Sequence, residues 1–92
     1  MRLEQHEREQ FVADHADWTL DGEEISRTFV FKDFPEAIAF VTHAAFAAEA
    51  ADHHPDIDIR WNKVKMTLST HSENALTHKD TDLAAKFDEM TT

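Results

Sequence analysis

The chain has 92 residues, 41% of them hydrophobic, and nineteen acidic against nine basic side chains give it a formal net charge of −10. This length and apolar content suffice for one domain over residues 1–92 with a single core, which excludes general disorder and a second domain. The negative charge repels phosphate backbones and anionic lipid surfaces, so we expect no nucleic-acid or membrane partner. Such acidity also raises the hypothesis of a halophilic source, which folding at low and high salt would test.

The chain contains no cysteine, which removes both a disulfide framework and a thiolate zinc site. Its first ten residues are rich in charge, and no apolar run approaches the length of a membrane span. We therefore expect a cytoplasmic protein without a signal peptide or a membrane anchor.

The first predicted elements are a helix and a hairpin. Apolar residues recur at a sparse helical spacing over residues 3–14, with no Pro or Gly to interrupt them. The period then changes, and Ile25, Phe29 and Phe31 fall on one side of a strand. Asp21-Gly22 supplies the turn that makes this segment a hairpin.

Pro35 opens the second predicted helix, which ends near residues 52–54 because Pro55 forces its predecessor out of the helical region. Four residues are assigned to its apolar face: Ile38, Val41, Ala45 and Ala48. Another four extend the apolar surface to further sides of the helix: Phe40, Ala44, Phe46 and Ala47. This surplus predicts a second partner, another subunit.

Two strands and a helix complete the pattern. Residues 57–61 and 64–68 alternate in polarity around a tight turn at Asn62-Lys63, and a capping box from Thr77 to Asp80 opens the last helix, which runs to Met90. The order α-β-β-α-β-β-α predicts an α+β domain, with a four-stranded antiparallel sheet covered by three helices on one face. The edge strands of so small a sheet favour pairing across a dimer axis.

A cluster of histidines is the candidate site. His53 and His54 lie at the helix-to-strand connection, Glu49 lies one helical turn earlier, and His71 follows the strand that runs from residue 64 to residue 70. A hairpin return can bring that strand end beside the helix end, so that one pocket holds all four side chains. Two alternatives stay open, namely histidines that cap carbonyl groups, and three imidazoles that bind zinc, although the helical HExxH spacing is absent.

Other side chains that could carry chemistry are interpreted as structural. Four histidines are predicted at the surface or an interface: His6, His15, His43 and His78. Trp18 is predicted in the core, whereas Trp61 follows the histidine pair closely enough to border a pocket. The carboxylates of the segments "DGEE", which includes Glu23, and "DEM", which includes Asp88, are interpreted as solvated charge without a site role.

A family resemblance rests on these same residues. The segment "EAADHHPDIDIRWNKVKMTLSTH", followed by "LTHKD", resembles the signature of the pterin-4a-carbinolamine dehydratases. That signature is Glu, three residues, His-His-Pro, an aromatic, Asn-x-Val, a strand ending in Thr-His, and a Leu-Thr-x-x-Asp helix start. The similarity covers the whole chain, including "DWTL" and "FVFKDFPEAIAFV".

The resemblance implies a fold of three helices on one side of a four-stranded antiparallel sheet, and assembly into homodimers or homotetramers. It implies loss of water from a 4a-hydroxytetrahydropterin to give the quinonoid dihydropterin, in pterin cofactor recycling, without a metal or bound cofactor. By position it implies three catalytic histidines and three residues that bind or orient: His53, His54 and His71, with Glu49, Asp80 and Trp61. One of His53 and His71 would act as the acid, while His54 binds or deprotonates the ring.

The sequence also departs from the family pattern. Asn74-Ala75 replaces a frequent Gly-Gly, where Asn can adopt a left-handed turn more readily than Ala, and Ile57 replaces an aromatic. These changes bear on substrate preference more than on the reaction. Two alternative functions remain: a non-catalytic dimerisation or regulatory module of the same fold, and a pterin-binding protein linked to molybdenum cofactor.

Overall fold

The computed structural model describes residues 1–91, and its elements follow the predicted order. The helices are α1 (Gln5–Asp14), α2 (Phe34–Ala50) and α3 (His78–Glu89). The strands are β1 (Thr19–Asp21), β2 (Glu24–Val30), β3 (Asp56–Arg60) and β4 (Lys63–Leu68), and a short 3-10 turn covers His71–Glu73. The predicted α+β fold is confirmed.

The sheet has the strand order β1-β2-β4-β3, and every neighbouring pair is antiparallel. Directly opposite residues point to the same face, so the pairing of Phe29 with Val64 brings both side chains into the core. On the other face, Lys65 lies between Thr28 and Asp58 of its neighbouring strands. One face is therefore apolar and packs against the helices, while the other is polar, as the alternation predicts.

The first helix begins two residues later than predicted. Glu4 caps it through a capping box with the third helical residue, so α1 starts at Gln5. Leu3 lies outside the helix and is nevertheless buried, and its N–H donates to the carbonyl of Leu76 (2.8 Å). The helix also turns Arg8 inward, where it is only 6% exposed. A cation therefore occupies a position on the inner side of α1, next to an otherwise apolar core.

The second helix buries a different face from the predicted one. Its buried residues are Ala37, Phe40, Ala44 and Ala48. Of the predicted face, Ala48 is buried and Val41 packs partly buried against the core. Ile38 is half-buried, and Ala45 is exposed, so the prediction was wrong at Ala45. The reason is the bulk of Phe40, whose ring packs against those of Phe29 (centroids 4.7 Å apart) and Phe87 (6.3 Å).

The carboxylate of Asp88, at the end of α3, ties three parts of the fold together. It accepts hydrogen bonds from the indole Nε1 of Trp18 (2.8 Å) and from Arg27 of β2 (2.6 Å), and it contacts His15 after α1 (3.2 Å). Trp18 is buried beside Phe29, as predicted for a core residue. None of the helices in residues 1–91 is long and apolar enough to cross a membrane.

Candidate active site

The backbone at the end of α2 fixes the position of His53. The chain reverses through Asp52, which has a left-handed φ of 50°. The N–H of Asp52 donates to the carbonyl of Glu49 (3.1 Å), and the N–H of His53 donates to that of Ala48 (3.0 Å). This pair of bonds is a Schellman motif, which satisfies the last carbonyls of a helix. His53 is therefore anchored through its own backbone before its side chain makes any contact.

The His53 imidazole contacts a buried carboxylate. Its Nε2 lies 2.5 Å from Oδ1 of Asp80, and the two residues are 8% and 0% exposed. Asp80 is also the third residue of α3, where its Oδ2 accepts from the N–H of Thr77 (3.0 Å) and the hydroxyl of Thr70 (2.8 Å). The predicted capping box is confirmed, and its acidic member is also the partner of His53.

These contacts assign the tautomer of His53. Both oxygens of Asp80 face donors, one of them the N–H of Thr77, which can only donate. We assign the Nε2 proton to His53 on this network, so that Asp80 accepts at both of its oxygens. A buried carboxylate in this position orients the imidazole ring and can stabilise its protonated form.

The second histidine points towards solvent. His54 Nε2 lies 2.9 Å from Oε1 of Glu49, and both side chains are largely exposed. An ion pair in such a position contributes little to stability, because water screens it. The pair places a second imidazole and its carboxylate at the surface, one residue after the buried His53.

His71 lies on a closed loop, apart from the His53–Asp80 and His54–Glu49 contacts. Thr70 and Ala75 exchange two backbone hydrogen bonds (3.0 and 3.4 Å), and Asn74 closes the loop with a left-handed φ of 49°, as its residue type allows. His71 is exposed and directly follows Thr70, whose hydroxyl bonds Asp80. Its side chain borders a depression of about 330 Å³ between this loop and the β1–β2 hairpin.

The structure does not bring Trp61 to the histidines of the same chain. Trp61 occupies the turn between β3 and β4 with a positive φ of 52°, and its ring is within 5.4 Å of Lys63 Nζ. β3 starts at Asp56, just after His54, and runs away from it, so that roughly 13 Å of strand separates Asp56 from Arg60. Closeness in sequence was misleading here, because an extended chain carries residues apart quickly.

Within the part of the chain that the structure describes, no group of three or more His, Cys, Asp or Glu side chains is arranged to hold a metal ion. The three histidines instead have separate surroundings: His53 faces Asp80, His54 faces Glu49, and His71 lies on its own loop.

Sequence reasoning missed the role of Glu23. Its carboxylate accepts from Arg8 (3.0 Å) and from the N–H of Leu76 (3.1 Å), and it pairs with Arg2. These contacts, the hydrogen bond from Arg8 foremost, lower the pKa of Glu23 from its usual 4.5 to about 2. Arg8 stands three residues before Phe11, on the same side of α1, and this cation on the inner face was the available signal.

Comparison with known proteins identifies the family of this chain. Its α+β fold presents imidazoles paired with carboxylates, which are groups that can take part in acid/base chemistry. The family model described as Pterin 4 alpha carbinolamine dehydratase matches residues 1–90, and the chain belongs to that family.

Relatives over nearly the full chain carry names that assign them to the same family. A protein of Chloroflexus aurantiacus is 55% identical over 89 residues, which cover 97% of this chain and 96% of the relative. One from Roseiflexus castenholzii is 56% identical over 88 residues, covering 96% and 95%. The resemblance inferred from the sequence is thereby confirmed.

Solved structures extend the likeness to three dimensions. One described as a transcriptional coactivator/pterin dehydratase from Brucella melitensis superimposes with a TM-score of 0.94 over 100% of both chains, at 38% identity. Another, described as a pterin dehydratase-like protein that is a RuBisCO assembly factor in the alpha-carboxysome, gives a TM-score of 0.65 at 20% identity, covering 78% of this chain and 83% of that one. The second likeness concerns the fold alone.

Proposed function

We propose that this protein is cytoplasmic and catalyses the dehydration of a 4a-hydroxytetrahydropterin to the quinonoid dihydropterin, in the recycling of a pterin cofactor. The observation that carries the proposal is the buried contact between His53 Nε2 and Asp80 Oδ1 (2.5 Å), with a second imidazole–carboxylate pair beside it. Membership of the dehydratase family supports the same substrate class. The reaction is a loss of water and is proposed to need no metal or bound cofactor.

The chemistry balances with two proton transfers. A proton is delivered to the hydroxyl on C4a, which leaves as water, and the proton on N5 is removed. The electron pair of the N5–H bond then forms the double bond between N5 and C4a, so no oxidant or reductant is consumed. Groups that titrate near neutral pH can perform both transfers, which is why imidazoles are suitable.

The roles follow from what surrounds each ring. Asp80 holds the Nε2 proton of His53, so His53 would exchange its proton at Nδ1 with the departing hydroxyl, a task that His71 could share. His54 would bind the ring or take the N5 proton, with Glu49 orienting its imidazole from 2.9 Å. Neighbouring imidazoles interact, so their titrations are expected to be coupled.

A histidine series tests this function. The substrate is generated by a hydroxylase, and product absorbance is followed for wild type, His53→Ala, His54→Ala and His71→Ala at low and high salt. A drop of at least about tenfold in a folded variant is the expected loss for an acid/base group. His6→Ala is the matched control, because His6 is exposed on α1. No acceleration by folded wild type would overturn the proposal.

The same experiment separates the alternatives. Tight pterin binding without turnover would favour a pterin-binding protein linked to molybdenum cofactor. Absence of both binding and turnover would favour a non-catalytic module. Pterin binding and turnover are both measured on the wild-type protein, so the conclusion does not depend on whether a variant folds.

We also propose that the chain forms a homodimer or a homotetramer. β3 is an edge strand, and its Ile57 and Ile59 stay partly exposed although they pair with the buried Met66 and Val64. On α2, Phe46 is 73% exposed, whereas Phe40 and Ala44, which were predicted to face a partner, belong to the core. Covering these apolar side chains would stabilise an assembly. Sedimentation showing only a folded 10.6 kDa species would contradict this proposal.

A further inference from the structure

We propose that Glu23 is a positioning residue for the loop of residues 70–75, which carries His71, and that Arg8 holds Glu23 in place. The inference rests on the proposed function, because it concerns how His71 is presented for that reaction. Glu23 belongs to the turn between β1 and β2, and the interpretation of the sequence as solvated charge gave it no site role.

Glu23 contacts the chain on both sides of this loop. On the side before the loop, the hydroxyl of Ser69 donates to the backbone carbonyl of Glu23 (2.7 Å). On the side after it, the N–H of Leu76 donates to the Glu23 carboxylate (3.1 Å). The loop itself is closed by the two backbone bonds between Thr70 and Ala75. One residue of the hairpin therefore holds both ends of the loop at a fixed separation.

Arg8 keeps the carboxylate directed at the loop. Its Nη2 bonds Oε1 of Glu23 (3.0 Å) and the carbonyl of Leu3 (3.1 Å), while its Nη1 bonds the carbonyl of Gly22 (3.0 Å). The planar guanidinium offers these donors in a fixed fork, so Arg8 aligns the hairpin turn with the start of the chain. A pKa of about 2 for Glu23 agrees with a carboxylate that stays charged throughout the neutral range.

A second tie acts on the same end of the loop. Leu76 is fully buried, and its carbonyl accepts from the N–H of Leu3 (2.8 Å). The N–H of Leu76 is thus bonded to Glu23 and its carbonyl to Leu3. Arg8 bonds both of these residues as well. The loop lies between two anchors, because Thr70 on its other side bonds Asp80 of the proposed site.

The arrangement makes His71 sensitive to Glu23 in particular. His71 is exposed, and its direction depends on the conformation of the loop more than on packing of its ring. Loosening one end of the loop would shift the imidazole without exposing the core. Displacement of a reacting group by about an ångström is enough to lower a rate substantially.

The test compares Glu23→Gln with Glu24→Gln. The second variant removes the same charge from the same hairpin, but Glu24 is exposed and bonds neither Ser69 nor Leu76. Amide hydrogen exchange at Leu76 is measured first, without any substrate. We expect about tenfold faster exchange in Glu23→Gln and no change in Glu24→Gln, since bonds to charged groups are the stronger ones. Unchanged exchange in Glu23→Gln would overturn the inference.

Turnover then distinguishes positioning from general stability. Glu23→Gln should lower kcat by about tenfold, and the double variant Glu23→Gln/His71→Ala should be no slower than His71→Ala alone. Effects that multiply would mean that Glu23 does not act through His71, which contradicts the proposal. Wild type without turnover would instead reject the proposed function, and the exchange measurement would still report whether Glu23 holds the loop.

Discussion

Asp80 both starts the last helix and holds the imidazole of His53, although the two residues are 27 positions apart in the chain. Its Oδ2 closes the capping box with Thr77, and its Oδ1 lies 2.5 Å from Nε2 of His53. The carboxylate that caps α3 is therefore the same one that contacts the imidazole of His53.

Replacement of this carboxylate is the first prediction. In Asp80→Asn an amide would face His53, reverse its tautomer and remove the negative charge next to it. We expect turnover to fall by at least about tenfold and the free energy of unfolding to fall by about 1–3 kcal/mol. Steady-state kinetics and urea unfolding measure the two effects separately.

Asp82→Asn is the control for that substitution. Asp82 lies two residues further along α3 and is exposed, so both quantities should stay close to those of wild type. A folded Asp80→Asn variant with the full wild-type rate would show that the His53–Asp80 contact has no part in catalysis.

The second prediction concerns the dependence of stability on pH. The pKa of Glu23 lies below its usual value, at about 2 instead of 4.5, so its contacts stabilise the fold fully above about pH 4.5 and lose this effect as the pH falls towards 2. Urea unfolding from pH 7 to pH 2 should therefore show Glu23→Gln less stable than wild type at neutral pH, with the difference shrinking below pH 4.5.

The corresponding control removes a neighbouring charge. Glu24 is exposed on β2, so the free energy of unfolding of Glu24→Gln should lie closer to that of wild type at every pH than that of Glu23→Gln does. If the free energies of unfolding of Glu23→Gln and wild type differed by the same amount down to pH 2, the stabilisation by Glu23 would not depend on its charge.

Asp88 gives the third prediction. Its carboxylate accepts from Trp18 and Arg27, which lie on different elements, so Asp88→Asn should lower the free energy of unfolding by about 1–3 kcal/mol. Far-UV circular dichroism in urea measures this loss, again with Asp82→Asn for comparison. Turnover per folded molecule should be unchanged, because the partners described for Asp88 are Trp18, Arg27 and His15, which lie outside the proposed site. A selective loss of turnover would contradict that separation.

The left-handed residue of the His71 loop gives the fourth prediction. Asn74 has φ 49° and ψ 41°, which Gly adopts without strain and Ala adopts at a cost of about 1 kcal/mol. Asn74→Gly should therefore match or slightly exceed the thermal stability of wild type, and Asn74→Ala should fall below it. Equal melting temperatures for the two variants would show that the backbone conformation carries no strain.

The sequence predicted the elements well because their signals are local. The change of period at Ile25 and the breaker Pro35 fix where strands and helices begin, and the capping box at Thr77 needs only four residues. The inward face of α2 was mistaken because it depends on where the ring of Phe40 meets the sheet. The packing of Phe40 against the sheet is a tertiary contact, and a helical pattern with apolar residues on several sides does not determine it.

For the candidate site too, the sequence identified the residues but not the contacts between them. His53, His54 and Glu49 are close in sequence, and a family pattern singles them out together with His71 and Asp80. No local pattern indicates that Asp80 faces His53, or that Glu23 reaches Leu76, because each of these contacts spans a large part of the chain. That the histidines catalyse the reaction is a prediction, which the variants proposed above test.

The two indoles of this chain differ in a way that makes them separate optical probes. Trp18 is 3% exposed and bonded to Asp88, whereas Trp61 is 66% exposed at the end of the edge strand β3. The fluorescence emission of Trp18 should change when the protein unfolds, and that of Trp61 should change when another molecule binds at the β3 edge. In a Trp18→Phe variant that remains folded, a concentration-dependent shift of emission to shorter wavelength would report association at this edge directly, with no label attached.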